Sequence, residues 1–330
     1  MKASSLPNPT PGPQQELVTG TKARIDELDF LKFVFIILMI TFHLVYIGNS
    51  YPYAKQIVYT FHMPAFLVIS GYLANIGKKP TAFLRAMLWL FIPYAVMESG
   101  YTIMASLLPI REHIDHLTAT LLIEKILVHP MGPYWYFHTL ILCSLIYYGV
   151  FHALRINRLS RFIIIGLLYY LCAYILHIVS FYCTAYFLAG AMIRQSGESF
   201  LRVVRPSWLS ILPVVIMACY PQNLDKGTMA GMVIVYLVMS FCLSVFCLVK
   251  GRLRRFSLAI GRNTLILLLF SPIFTLLSKY FLPYLSFDPT GMVFLIVALA
   301  FTLTGCFAIA RVMDRLGLSR YFFGKHTVIQ

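Results

Sequence analysis

A lysine and a histidine in an apolar segment are the first residues of the chain that could do chemistry. Lys32 and His43 lie eleven residues apart in the run that follows Asp29. Eleven residues make three helical turns plus about 20°, so the two side chains share one face, roughly 16 Å apart along the axis. Histidine suits general-base catalysis near neutral pH, and the lysine could hold an anion. The alternative is a lysine that extends its amine to the membrane interface.

Other ionisable residues also lie in apolar segments, where each costs about 2.5–3.5 kcal/mol on insertion scales. His62 and His138 fall with His43 toward one end of their segments, and His177 lies between two segments at the same level. Glu98 lies more than halfway along its own segment. A packed bundle could bring several of these side chains together. For His138 and His177 we favour an interfacial polar residue. No ligand spacing supports a metal site, so no metal is expected.

Two further segments have features of a binding site. Pro64 removes one backbone hydrogen bond and Gly71 allows another helix to come close, so residues 61–72 are typical of an interrupted helix. Irregular backbone at membrane depth is tolerated where protein or a water-filled cavity receives it. An ordinary proline kink is the alternative. Trp135 is either an interfacial anchor or an aromatic platform for a sugar ring.

The composition decides the class of protein that positions these residues. Of 330 residues, 59% are hydrophobic and 12% are charged, about half the usual 25% of soluble domains. A soluble globule is therefore excluded, and so is disorder over most of the length. The apolar runs approach about 20 residues and do not alternate, which excludes a β-barrel. The sequence predicts an all-α, polytopic transmembrane helical bundle of about ten spans. The predicted spans are residues 30–48, 57–76, 83–108, 134–154, 162–176, 178–194, 208–220, 227–249, 264–282 and 291–310.

The basic residues are distributed unequally between the connecting segments. With the N-terminus in the cytoplasm, 21 of the 27 face the cytoplasm, five face the other side, and Lys32 lies in the first span. The positive-inside rule then explains the net charge of +15 without a nucleic-acid partner. We predict a multi-pass protein of the cell inner (plasma) membrane with both termini cytoplasmic. Residues 1–23 are expected to form a disordered tail, 24–315 the membrane domain and 316–330 a cytoplasmic C-terminal tail.

Several motifs resemble the acyltransferase-3 family of integral-membrane O-acyltransferases, most closely its fucose 4-O-acetylase-like branch. Lys32 and His43 are similar to the family's Arg/Lys-x10-His signature, and Asp29 to its Asp-x-x-Lys opening. The stretch from Phe61-His62-Met63-Pro64 to Ser70-Gly71-Tyr72 resembles its most recognisable motif. The later segments Trp135-Tyr136-Phe137 and Gly261-Arg262-Asn263-Thr264-Leu265 also resemble family motifs. Two positions depart from the pattern: Trp89 stands where an arginine is often found, and Ser271 where a histidine is often found.

The resemblance implies an acyl-CoA donor, expected to be acetyl-CoA, and a sugar hydroxyl of a cell-surface or lipid-linked glycan as the acceptor. It implies that His43 is catalytic together with Lys32, either as a general base or as the group that accepts the acyl chain. The residues expected near the donor are Arg85, Arg262 and Asp29. The residues expected near the acceptor, or supporting it, are His62, Glu98, Trp135 and His138. The alternative function is a transporter or flippase of a lipid-linked glycan, which often shows an internal repeat that this chain lacks.

Overall fold

The computed structural model describes residues 24–107 and 113–330, and the predicted disordered tail lies outside them. Within the described residues the chain forms fifteen α-helices and no strand, so the all-α prediction is confirmed. The α-helices are α1 Asp26–His43, α2 Val45–Ser50, α3 Pro52–Leu73, α4 Pro80–Leu107, α5 Ala119–Leu127, α6 Trp135–Ala153, α7 Arg158–Tyr170, α8 Phe181–Ser196, α9 Phe200–Val203, α10 Ile211–Ala218, α11 Met229–Leu248, α12 Gly251–Arg262, α13 Thr264–Ser278, α14 Met292–Arg315 and α15 Ser319–Phe322. A π-helical turn, Leu171–Ile175, continues α7.

Each of the ten predicted spans overlaps at least one of these helices. Six helical stretches within the described residues are long and apolar enough to cross a membrane. They are Pro80–Leu107, Ala119–Ala153, Arg158–Ile175, Met229–Leu248, Thr264–Tyr284 and Met292–Arg315. Helix α1 is not among them, and its 18 residues include Asp26, Glu27, Asp29 and Lys32. A helical membrane protein is thus supported, and the count of about ten spans stays a prediction.

Helix α1 lies inside the bundle and packs against α3, α11, α12 and α13. Its buried side chains include Leu31, Phe35, Ile36 and Ile40, which lie on more than one side of the helix, as expected for a helix enclosed by others. The acidic residues of its first turn suit the positive end of the helix dipole. The helix that carries Lys32 and His43 is therefore positioned by protein over much of its surface.

Helices α3 and α8 touch through their backbones. A Cβ atom built on Gly71 would lie 2.0 Å from the carbonyl oxygen of Phe187, and one built on Gly190 would lie 1.9 Å from that of Val68. The close approach predicted for Gly71 is therefore confirmed. The interrupted-helix interpretation is wrong, because α3 runs through Pro64 to Leu73. A proline removes one hydrogen bond, and the neighbouring turns keep theirs.

The chain leaves helical conformation immediately after His43 instead. Leu44 is extended, with φ −67° and ψ 107°, and α2 begins at Val45. Neither proline nor glycine marks this point in the sequence. The interruption places the histidine at the end of a helix rather than in its middle.

Two elements near the Lys32 end of α1 were not predicted. Helix α12 buries Ser257, Leu258, Ile260 and Gly261 and packs against α1. After α14, the predicted C-terminal tail forms α15 and then packs on the bundle, with Phe323 and Val328 buried. The backbone amide of Val328 donates to Asp314 over 2.9 Å.

Candidate active site

A buried carboxylate lies at the centre of the Lys32 end of α1. Asp29, whose side chain is 3% exposed, accepts the Lys32 ammonium at 2.7 Å and the Arg24 Nε at 2.6 Å. The Arg262 Nε lies 3.5 Å from the same carboxylate. Such a buried charge is tolerated because it is paired. The structure therefore brings Asp29, Lys32 and Arg262 together, and the i,i+3 ion pair orients Lys32.

Residues of the motif that begins at Gly261 form hydrogen bonds at the Lys32 end of α1. Arg262 Nη2 donates to Asp26 over 3.1 Å. Asn263 Nδ2 donates to the Gln330 carbonyl over 3.0 Å, and the Gln330 amide donates to Asn263 Oδ1 over 2.9 Å. Arg24 donates to the Gln330 side chain over 2.7 Å. Helix α1, helix α12 and the segment at Gln330 are thus fastened to one another here.

A cavity of about 510 Å³ opens beside Lys32. Its lining includes Arg24, Lys32, Asn75 and Arg194. A second cavity, of about 650 Å³, shares Tyr72, Asn75 and Arg194 with it. Asp29 lines the cavity too and pairs with Arg24 and Lys32, so three cations and one carboxylate leave an excess of positive charge there. Such an excess suits phosphate groups, since Arg and Lys bind them with charge-assisted hydrogen bonds. Arg194 was not singled out from the sequence, because there it resembles the many other basic residues at span ends.

Arg85 lies apart from this cavity. Its side chain is exposed on α4, and it is not among the residues that line the cavity of Lys32. Trp89, four residues further along α4, lies against the segment after α15. A Cβ atom built on Gly324 would approach the Trp89 ring to 2.3 Å. The position where the family often has an arginine therefore holds the C-terminal segment.

His43 lines a smaller cavity, of about 160 Å³, at the opposite end of α1. Tyr101, Pro133, Ser271 and Thr275 also line it. His43 Nδ1 lies 2.7 Å from the carbonyl oxygen of Met39. A carbonyl only accepts, so Nδ1 carries the proton and Nε2 keeps its lone pair, as a base or nucleophile requires. Ser271, noted in the sequence only as a departure from the family pattern, lines the cavity of His43.

His62 joins His43 through an aromatic ring. The Tyr59 ring lies 5.8 Å from the His43 ring and 5.1 Å from the His62 ring, centre to centre. His62 Nδ1 lies 2.7 Å from the carbonyl oxygen of Val58. Its buried Nε2 has no hydrogen-bond partner in the described part of the chain. The structure therefore brings two of the predicted histidines into one cluster.

Glu98 stabilises the segment that lines one side of the cavity of His43. The side chain is fully buried, and Oε1 accepts the backbone amide of Met131 over 2.6 Å. This bond fixes the segment that leads into Pro133, which lines the cavity. Trp135 follows it, and the Lys226 ammonium lies 5.7 Å from its ring.

His138 lies elsewhere. Its Nε2 is 2.9 Å from the Leu127 carbonyl oxygen, and it lines a mainly apolar cavity of about 390 Å³ between α4, α5 and α6. His177 is exposed. Within residues 24–107 and 113–330, no three His, Cys, Asp or Glu side chains are grouped so that they could hold a metal ion.

The two ends of α1 thus offer different chemistry. A cavity whose lining includes three cations and one carboxylate lies at the Lys32 end, and a base beside a tyrosine and a second histidine lies at the His43 end. A family model described as an acyltransferase domain matches residues 25–311. Members of that family are acyltransferases. No curated protein and no solved structure matches the chain.

Proposed function

Because the chain belongs to the acyltransferase-3 family, we propose that it transfers an acyl group from acyl-CoA to a sugar hydroxyl. In this proposal the acyl group is acetyl, and the sugar is part of a cell-surface or lipid-linked glycan. The observation that carries this proposal is the placement of Lys32 and His43 at opposite ends of α1, each beside its own cavity. The motifs favour an acceptor like that of the fucose 4-O-acetylase-like branch.

The donor binds at the Lys32 end. Coenzyme A carries several phosphate charges, and Arg24, Lys32 and Arg194 line the cavity that would receive them. Asp29 holds Lys32 in place through its ion pair, and Arg262 lies 3.5 Å from the same carboxylate. In the ten-span topology with cytoplasmic termini, this cavity faces the cytosol, where acyl-CoA is made. The basic cytoplasmic face then steers the anionic donor toward it.

Acyl transfer takes place at His43. Nε2 removes the proton of the acceptor hydroxyl, the hydroxyl oxygen attacks the thioester carbonyl carbon, and the C–S bond breaks as the ester C–O bond forms. The imidazolium returns the proton to the departing thiolate, which leaves as the thiol of coenzyme A. In the two-step alternative, Nε2 attacks the thioester carbonyl carbon, and the C–S bond breaks to leave the thiolate and an acyl-imidazolium. The acceptor hydroxyl oxygen then attacks the acyl carbon, the C–N bond to Nε2 breaks, and the hydroxyl proton passes to the thiolate. The roughly 16 Å between the two positions along α1 is spanned by the extended arm of the donor.

The direct test is acyl transfer by purified protein in lipid nanodiscs, with radiolabelled acetyl-CoA and isolated surface glycan. His43→Ala should lower the rate by about 10²- to 10⁴-fold or more, the range for loss of a positioned general base. His152→Ala is a matched control, since His152 Nδ1 also contacts the carbonyl four residues earlier, at 3.0 Å. A His43→Ala variant with more than a few per cent of wild-type activity would contradict the assignment. Movement of a lipid-linked glycan across vesicles without acyl transfer would favour the transporter alternative.

A further inference from the structure

Two lysines, Lys55 and Lys226, line one small cavity beside the His43 cluster. Lys55 and Lys226 line a space of about 310 Å³, together with Gln56, Tyr59 and Asp225. Lys55 comes from α3 and Lys226 from the segment before α11. The backbone oxygen of Lys226 accepts the Tyr186 hydroxyl at 2.8 Å, which anchors this segment to α8. Separate parts of the chain are therefore brought together to form the cavity.

Aromatic rings hold both ammonium groups. Lys55 lies 5.4 Å from the centre of the Tyr59 ring, and Lys226 lies 5.7 Å from that of Trp135 and 5.2 Å from that of Tyr182. Within the described residues neither lysine forms an ion pair with a carboxylate. Asp225 Oδ1 instead accepts the backbone amide of Gly227 at 2.8 Å, within its own turn. Cation–π contacts position the two charges without neutralising them.

Membrane topology does not account for these two charges. The segments on the His43 side of the bundle carry only five of the 27 basic residues in the predicted topology. The positive-inside rule places basic residues on the other side, so a lysine here does nothing for orientation. Two of the five nevertheless line the same cavity. Two cations beside one cavity favour the binding of an anion.

Tyr59 lies between the cavity of Lys55 and Lys226 and the proposed base, His43. Its side chain lines the cavity, and its ring lies 5.8 Å from the His43 ring. Trp135, which lies under Lys226, offers an aromatic face of the kind against which the C–H face of a sugar packs. A sugar whose ring packs on Trp135 would bring a charged substituent near Lys226, and the Tyr59 ring lies close to both the Lys55 ammonium, at 5.4 Å, and the His43 ring, at 5.8 Å.

We propose that the acceptor is an anionic sugar, whose carboxylate or phosphate is held by Lys55 and Lys226 while His43 acts on a hydroxyl of the same molecule. This inference rests on the proposed acyl transfer and adds the chemical class of its acceptor. The charge comes either from an acidic sugar or from the phosphate that links a sugar to a lipid. Both sources use the same charge-assisted hydrogen bonds.

The experiment compares matched acceptors in nanodiscs with acetyl-CoA as the donor. The acceptors are methyl β-glucuronide, glucose 1-phosphate and neutral methyl β-glucoside. Wild-type protein should prefer at least one of the two anionic acceptors. Lys55→Gln and Lys226→Gln should each raise the KM for that acceptor about tenfold or more, the effect of losing one charge-assisted hydrogen bond. The KM for methyl β-glucoside should not change, which also shows that the variants fold, and Lys226→Arg should keep the preference.

Lys279→Gln is the matched control. Lys279 is a third lysine on the same predicted side, 5.5 Å from the ring of Tyr280, and it does not line the cavity. The proposal is supported if the preference for an anionic acceptor is lost in Lys55→Gln and Lys226→Gln and kept in Lys279→Gln. The preferred acceptor, glucuronide or sugar phosphate, then shows whether the charge comes from an acidic sugar or from a phosphate. Equal use of charged and neutral acceptors by the wild type would overturn it, and so would a preference that survives in the Lys55→Gln, Lys226→Gln double variant.

A binding measurement separates this proposal from the proposed acyl transfer. Quenching of tryptophan fluorescence by methyl β-glucuronide and by inorganic pyrophosphate needs no turnover, and it reports on Trp135 once Trp89 and Trp208, the other two tryptophans, are replaced by phenylalanine in every protein compared. Saturable quenching in the wild type that is lost in the double variant supports the anion site. If no acetyl group is transferred in the same preparation, the proposal of acyl transfer is overturned and the anion site stands. Acetylation of neutral acceptors without lysine-dependent anion binding overturns the anion site and leaves acyl transfer intact.

Discussion

Gly261 of α12 lies directly against the backbone carbonyl of Asp29 on α1, and a Cβ atom built on the glycine would come within 1.8 Å of that oxygen. No side chain fits between the two helices at this point. The contact sets the distance at which Arg262 reaches Asp26 and Asp29. The glycine of the motif therefore determines how the donor end of α1 is assembled.

Gly261→Ala should push α12 away from α1. Overpacking of this kind costs about 1–3 kcal/mol, and we expect a lower melting temperature together with weaker binding of acetyl-CoA. Gly166→Ala on α7 is the control, because a Cβ atom there meets nothing within 4 Å and alanine favours helix over glycine. The two melting temperatures, measured in the same detergent, decide the point. Equal stability of both variants would show that α12 does not clamp α1.

Lys32→Ala should weaken binding of acetyl-CoA, because the variant removes a cation from the donor cavity. Arg194→Ala should do the same, and we expect about a tenfold loss in each case. Lys32→Arg should be tolerated because the charge is kept, although the two cations differ in geometry. Isothermal calorimetry on purified protein gives the affinities, and rising salt should weaken wild-type binding.

Arg252→Ala is the control for these variants, since Arg252 is exposed on α12 and does not line the cavity. Arg85→Ala tests the donor contact expected from the sequence. If Arg85→Ala weakens the binding of acetyl-CoA as much as Lys32→Ala does, the donor phosphates also contact α4. Unchanged affinity in both Lys32→Ala and Arg194→Ala would remove the cavity from the donor site.

Glu98→Ala should lower both stability and turnover. The substitution leaves the buried Met131 amide without its acceptor, which costs about 1–3 kcal/mol, and it frees the segment before Pro133 beside His43. Ser99→Ala is the neighbouring control, because among the described residues Ser99 bonds only within its own helix, to the Ala95 carbonyl. Thermal unfolding and the acyl-transfer rate are the two measurements. A Glu98→Ala protein as stable and active as the control would leave Glu98 without a role in the site.

The predicted topology places both termini in the cytoplasm. It is tested with paired reporter fusions, one after Gln330 and one in the segment between α4 and α5, at Asp115. An even span count and the unequal distribution of basic residues predict that the two reporters lie on opposite sides of the membrane. Reporters on the same side would require a different span count.

The sequence was informative where one helix decides the geometry. The periodicity of α1 alone was enough to predict that Lys32 and His43 share a face. Contacts between elements were harder to predict. Helix α12 is short and carries several arginines, so a search for apolar spans passes over it. Arg194 gains its place only when α8 packs against α3, and the exposure of Arg85 depends on how α4 is rotated in the bundle.

The break after His43 also had no local sign in the sequence, because neither proline nor glycine follows it. Pro64 gave a local sign of a break that the fold does not contain. In both cases neighbouring helices decide where the backbone can leave helical conformation, and their positions are not written in the segment itself.

The pairing of Asn263 with Gln330 has a consequence for biosynthesis. A ribosome makes α1 and α12 well before residues 326–330, which also follow α13, α14 and α15 in the chain. Arg24 and Asn263 find their partners on Gln330 only when this later segment has emerged. The donor end of α1 should therefore stay open at that edge while these helices insert, and close when residues 326–330 pair with Arg24 and Asn263. Chains stalled before Gln330 would be inserted in the membrane and yet incomplete at the donor end.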